Sequence, residues 1–197
     1  MIPQRIRKNY HLLRGEMNTI LLKKEVFKEK IMKNVLPINA RNDEVCDFYI
    51  SCETKIDGKT LSIFSIYNYM GGKLDNFSEL LNELYEYLEK SKNKIIIIGG
   101  DFNMDEKFPY YKNWGKLAKE IKEKMLKLGY IYVVEKKCGK NAFTYITPSK
   151  KAKYQLDYLF LPKNVKVLDI KVGKESEIFK TKPRLSDHLP IFATIEV

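Results

Sequence analysis

The sequence is poor in cysteine and histidine. It holds three cysteines, Cys46, Cys52 and Cys138, and two histidines. An odd number of cysteines without paired spacing argues against a disulfide framework, so free and partly buried thiols are expected. There is no close Cys or His pair of the kind a zinc site needs. Long apolar runs are missing too. The run Ile95-Ile96-Ile97-Ile98 before Gly99-Gly100 is far too short to span a bilayer. The opening Met1-Ile2-Pro3-Gln4-Arg5-Ile6-Arg7-Lys8 has the charge of a signal peptide, but no apolar stretch follows it. A cytoplasmic location is the expectation. No internal repeat, low-complexity segment, Pro/Gly/Ser linker or dense basic block is visible.

What is present suits one soluble domain over residues 1–197. Hydrophobic residues make up 44% and charged residues 31% of the 197 positions. The net charge of +11 is compatible with an anionic partner, nucleic acid or an acidic membrane. Lysine is spread along the whole chain, however, and a lysine-rich proteome gives the same balance without such a partner.

The pattern predicts strands and helices in a mixed order. Asn18 to Phe27 reads as a strand through Thr19-Ile20-Leu21-Leu22, with a helix over Lys24 to Lys33 as the alternative. Cys46 to Cys52 and Leu61 to Tyr69 read as strands, with Asp57-Gly58 as a hairpin signal between them. Gly71-Gly72 breaks the chain. A helix then carries Phe77, Leu80, Leu81, Leu84, Tyr85 and Leu88 on one face, with Asn76 and Glu79 spaced as a cap. Lys94 to Ile98 reads as a strand buried on both faces. A second helix carries Trp114, Leu117, Ala118, Ile121, Met125 and Leu128 and stops at Gly129. Further strands are expected near Tyr130 to Val134, Ala142 to Ile146, Tyr154 to Leu161, Val165 to Val172 and Pro190 to Val197. Strands outnumber helices about two to one, which favours two packed sheets flanked by helices over a doubly wound parallel sheet.

Three segments carry chemistry. In Gly99-Gly100-Asp101-Phe102-Asn103, a buried strand ends in an acid and an amide two residues apart. In an extended chain both point the same way, so Asp101 and Asn103 address one point. An ordinary Asp/Asn-rich turn is the alternative. In Tyr154-Gln155-Leu156-Asp157-Tyr158, an apolar strand carries one carboxylate. Asp157 either faces water from an edge strand or receives a hydrogen bond from a histidine. In Ser186-Asp187-His188-Leu189-Pro190, a histidine precedes the last strand. His188 is suited to proton transfer or to stabilising negative charge, with a surface or capping histidine as the plainer reading. Asp187 adds a carboxylate suited to Mg²⁺.

In this order the three segments resemble the endonuclease/exonuclease/phosphatase superfamily. That family carries Gly-Asp-Phe/Leu-Asn at a strand end, then Ile/Leu-Asp-Tyr, then Ser-Asp-His-x-Pro before the final strand. Phe64-Ser65-Ile66-Tyr67-Asn68-Tyr69 is similar to the strand that brings a His or Tyr to the phosphate, and Tyr67 holds that position. For Tyr67 an ordinary strand aromatic is an equal alternative. Ala142-Phe143-Thr144-Tyr145 resembles the Thr-Phe/Tyr-Thr strand that precedes the Asp-Tyr motif. The resemblance runs from about Asn18 to Val197.

The resemblance implies an α+β fold, a four-layer α/β/β/α sandwich of two mixed sheets flanked by helices. It implies a Mg²⁺- or Mn²⁺-dependent phosphodiester hydrolase, most simply a nuclease. Asp101 would orient or deprotonate water, and Asn103 would fix phosphate or water beside it. His188, held by Asp157, would stabilise the transition state. Tyr67 would contact the phosphate, and Asp187 would serve the metal. The family's first strand with its Asn and its Gln-Glu strand have no counterpart here, and the surroundings of Glu16 do not match. A partial domain lacking the N-terminal strands is therefore expected, in a fragment or a shortened member. Two alternatives remain open: a phosphoesterase of the same superfamily acting on phosphoinositide, sphingomyelin or another small phosphoester, and a nuclease-like scaffold that binds without cutting. A Ser/His/Asp hydrolase lacks its Gly-x-Ser-x-Gly elbow.

Overall fold

Asp57-Gly58 makes a two-residue turn in which both residues have positive φ, +50° and +76°. That is the turn whose twist matches a right-handed hairpin, and glycine adopts it without a Cβ clash. It joins β4 (Tyr49–Ile56) to β5 (Lys59–Tyr67), which pair antiparallel from Ile56↔Lys59 to Tyr49↔Ile66. The structure is a computed structural model that describes residues 9–14, 19–33, 49–68, 74–107, 112–139, 142–149 and 151–197. Glu16, Asn18, Cys46, Tyr69, Gly71 and Gly72 lie outside the described residues.

The chain divides into two compact units, residues 1–98 and 99–197. In the first, β1 (Tyr10–Arg14) pairs antiparallel with β2 (Thr19–Lys23). The strand reading of Thr19-Ile20-Leu21-Leu22 holds, and the helix alternative over Lys24 to Lys33 does not. The chain turns after Lys23, and Met32–Lys33 forms β3, paired with β4. The strand order is β3-β4-β5-β6, where β6 (Ile95–Asp101) runs on into the second unit. Helix α1 (Leu74–Lys90) buries Phe77, Leu80, Leu81, Leu84 and Leu88. It is already under way at Leu74, so Asn76 lies inside it and is not the N-cap. An edge-to-face contact of Phe64 with Tyr87, 5.5 Å between centroids, joins β5 to the helix.

The second unit contains α2 (Lys112–Lys127), β7 (Tyr130–Tyr132), α3 (Val133–Cys138), β8 (Tyr145–Ile146), β9 (Lys153–Tyr154), β10 (Asp157–Pro162), β11 (Lys166–Val172), α4 (Glu175–Ile178) and β12 (Ile191–Glu196). Gly129, at φ +89°, ends the α2 segment as expected. The expected strand over Tyr130 to Val134 is corrected. Only Tyr130–Tyr132 pairs, with β10, and Val133 and Val134 open α3 with both side chains fully buried. Two valines favour a strand intrinsically, but their burial in the helix outweighs a propensity difference of a few tenths of a kcal/mol. The expected strand over Ala142 to Ile146 shortens to Tyr145–Ile146. Strands β11 and β12 pair antiparallel with an irregularity between Val167 and Asp169.

Candidate active site

The first wall is the end of β6. Gly100 sits at φ +140°, a conformation that side chains rarely adopt, immediately before Asp101. The chain then bends. The Phe102 N–H donates to the Leu156 carbonyl at 2.9 Å, and the buried Phe102 ring packs on Tyr158 and Phe160 at 5.1 and 6.0 Å. Asn103 takes φ +51°, a conformation that asparagine tolerates. Its backbone N–H donates to Asp101 Oδ1 at 2.9 Å, and its side-chain amide donates to Oδ2 at 3.1 Å. Asp101 and Asn103 therefore do meet, but through a turn. The expectation of an extended chain with both side chains on one face is corrected.

The second wall is an interrupted strand. The expected run from Tyr154 to Leu161 breaks at Gln155-Leu156. Three N–H groups there find side-chain acceptors in place of a neighbouring strand. Gln155 donates to Asp105 Oδ2 at 2.6 Å, while Leu156 and Asp157 both donate to Thr144 Oγ1, at 3.2 and 3.0 Å. Thr144 is fully buried. Buried N–H groups must be satisfied, and here side chains do it.

The third wall is the segment before β12. Leu189 N–H donates to the Thr144 carbonyl at 2.6 Å, and Ile146 N–H to the Asp187 carbonyl at 3.2 Å. Ser186 Oγ accepts the His188 N–H at 3.0 Å. Arg184 donates to the Ser186 and Ile146 carbonyls at 2.8 and 3.3 Å. These bonds leave the His188 ring tilted against Tyr145, with centroids 5.0 Å apart.

The three walls converge. His188 Nδ1 donates to Asp157 Oδ2 at 2.8 Å. An ionised carboxylate only accepts, so this bond places the ring proton on Nδ1 and sets the tautomer. The other ring nitrogen, Nε2, faces Asp101 Oδ2 at 3.9 Å. The side chains of His188, Asp157 and Asp101 are 26%, 19% and 19% exposed, open enough for a ligand. Burial, and then the charge of Asp157, push the Asp101 carboxyl up to about 7. Burial alone would lower the His188 pKa. The hydrogen bond and charge of Asp157, with the charges of Asp101 and Asp187, hold it above its ordinary value instead.

Asp101, Asp157 and His188 offer ligand atoms within 4.8 Å of one another. Two crowded carboxylates and an imidazole suit a small divalent cation, and positive charge there would relieve the strain on the Asp101 carboxylate. Asp187 is exposed and stands outside that trio, although its charge reaches both Asp101 and His188. Tyr67 is the last residue of β5, half-buried, in the first unit. Thr144, Tyr145, Asp105 and Arg184 join the site without a sequence signal that marks them as site residues. Only the Thr144-Tyr145 pair lay in a segment already singled out.

The chain belongs to the endonuclease/exonuclease/phosphatase superfamily, and within it matches over residues 61–192 the family described as endonuclease-reverse transcriptase. Its fold is similar to that of TDP2 from D. rerio, solved with a single strand DNA product, at TM-score 0.68 and 14% identity. That likeness covers 98% of this chain and 80% of the other. An endonuclease/exonuclease/phosphatase family protein from Leptotrichia buccalis is similar at TM-score 0.59 and 21% identity, covering 95% and 70%. The endonuclease domain of TRAS1, a telomere-specific non-LTR retrotransposon, is similar at 0.64 and 11%, covering 96% and 81%. The α+β architecture expected from the sequence is thus the observed one. Among curated proteins, none matches this sequence.

Proposed function

We propose that this chain is a divalent-metal-dependent phosphodiester hydrolase acting on nucleic acid. The observation that carries the reading is the cluster Asp157–His188–Asp101, in which the imidazole meets Asp157 at 2.8 Å and Asp101 at 3.9 Å. It puts an oriented imidazole and a carboxylate of raised basicity side by side. Asp101 accepts a proton from the attacking water as the new phosphorus–oxygen bond forms. The bond opposite to it breaks in line, and the leaving oxygen departs with the electron pair and takes a proton from solvent. His188, its affinity for a second proton raised by Asp157, donates from Nε2 to the phosphoryl oxygens when protonated there. Asn103 orients Asp101 through its amide.

Mg²⁺ or Mn²⁺ would be held by the Asp101 carboxylate with Asp187 nearby, since Asp157 is engaged by His188. A bound cation supplies positive charge against the phosphate oxygens. Nucleic acid is favoured over a small phosphoester because one similar structure contains a DNA product, another is an endonuclease domain, and the chain carries +11. The test is direct. The purified chain is incubated with Mg²⁺ or Mn²⁺ and DNA, RNA, bis-p-nitrophenyl phosphate, a phosphoinositide and sphingomyelin. Cleavage of a nucleic acid with higher kcat/KM than the lipids supports the reading. Failure to cut any of them overturns it for this chain.

A further inference from the structure

Asp105 is a buried carboxylate, 7% exposed, four residues beyond Asp101 and without a role in the chemistry above. A buried carboxylate is costly unless strong donors compensate it. Here both oxygens accept main-chain N–H groups, Oδ1 from Lys107 at 2.8 Å and Oδ2 from Gln155 at 2.6 Å. Gln155 lies two residues before Asp157, in the break that separates β9 from β10. Its neighbour Leu156 accepts the Phe102 N–H at 2.9 Å. On the far side of Asp157, the Tyr158 hydroxyl donates to the Met104 carbonyl at 2.9 Å. Asp157 is thus flanked on both sides by bonds to the loop that begins at Asp101. The bond to Asp105 is the shortest of them and the one made by a charged group, which is the stronger kind.

We infer that Asp105 is a positioning residue. Its carboxylate holds the Gln155-Leu156 break open and so sets Asp157 at the height where it meets His188 Nδ1, with Nε2 left facing Asp101. A neutral amide of the same shape does not replace it. Asparagine offers one oxygen for two N–H groups and turns a donor toward the other. The inference rests on the nuclease reading only for its kinetic part.

The experiment compares the full chain with Asp105→Asn and Asp105→Ala. A long-range ¹⁵N–¹H spectrum of the imidazole rings, recorded where they are neutral, shows which nitrogen carries the proton. The chain's other histidine, His11, faces the Phe27 carbonyl and serves as the internal control. The expected result is an Nδ1–H tautomer for His188 in the parent and a mixture of tautomers in both variants, with His11 unchanged. For bis-p-nitrophenyl phosphate with Mn²⁺, kcat falls by about tenfold or more in Asp105→Asn, while KM changes by no more than about twofold. A parent spectrum without the Nδ1–H tautomer overturns the inference. So does an Asp105→Asn variant with parental tautomer and kcat, even if it melts at lower temperature, because Asp105 would then serve stability alone. If the parent cleaves nothing, the nuclease reading fails and the tautomer decides for Asp105. Should Asp105→Ala fail to fold, Asp105→Asn decides.

Discussion

Removing the Asp157 carboxylate leaves the His188 ring with two tautomers to choose from and a lower affinity for its proton. Asp157→Asn is therefore expected to lower kcat on bis-p-nitrophenyl phosphate by about tenfold to a hundredfold, and His188→Ala by about a hundredfold to a thousandfold. Both are read from initial rates with Mn²⁺, with circular dichroism as the folding control. A different residue tests stability. Glu53 is buried and accepts from Ser62 at 2.9 Å, Tyr87 at 3.3 Å and Lys94 at 2.7 Å. Burial raises its pKa, but the bonds from Lys94 and Ser62 and the charge of Lys94 outweigh that and leave it below the ordinary 4.5. A carboxylate with a depressed pKa contributes stability above its unfolded value and loses it as pH falls. The melting temperature should therefore fall as pH drops below about 4.5, with a shallower slope in Glu53→Gln. Glu53→Ala leaves Lys94 with the Tyr87 hydroxyl at 3.3 Å but without its carboxylate, and should cost about 2 kcal/mol, or roughly 6 °C in Tm by thermal denaturation.

Elements with a strong repeating pattern matched their expectation. The apolar faces of α1 and α2 and the Asp57-Gly58 turn are local signals, carried by side-chain spacing and by the conformational freedom of one glycine. The strand end at Gly100 is local as well, and it is testable. Gly100→Ala forces a Cβ into a backbone at φ +140°. The expected cost is about 1–3 kcal/mol, with a loss of activity larger than the stability loss explains, because Asp101 moves with the strained peptide. Elements whose ends depend on a distant acceptor departed from expectation. The strand expected from Tyr154 to Leu161 reads as continuous because all its residues but Gln155 and Asp157 are apolar or aromatic. It breaks because Asp105 and Thr144, 50 and 13 residues away from their partners Gln155 and Asp157, capture its N–H groups. No periodicity registers such a capture.

For the molecule as a whole, a charge of +11 has a measurable consequence if nucleic acid is the partner. Binding to a fluorescent single strand should weaken by roughly tenfold or more between 50 and 200 mM salt, in the manner of counterion release. Cleavage, where it occurs, should stop on addition of EDTA and return with excess Mn²⁺. A salt-independent affinity would argue against a phosphate-dominated interface. The three segments around Asp101, Asp157 and His188 were legible in the sequence because each combines a rare polar group with an apolar strand. The sequence by itself determined the helix faces, the hairpin turn, the order of the three segments and the superfamily they resemble. Tertiary structure alone decided that His188 Nδ1 meets Asp157 at 2.8 Å while Nε2 faces Asp101. It also decided that Val133 and Val134 turn helical, and that Thr144 and Asp105 bind the walls together. The physical reason is range. Propensity and periodicity act between neighbours, whereas burial and hydrogen-bond satisfaction are settled by groups that meet only when the chain is folded.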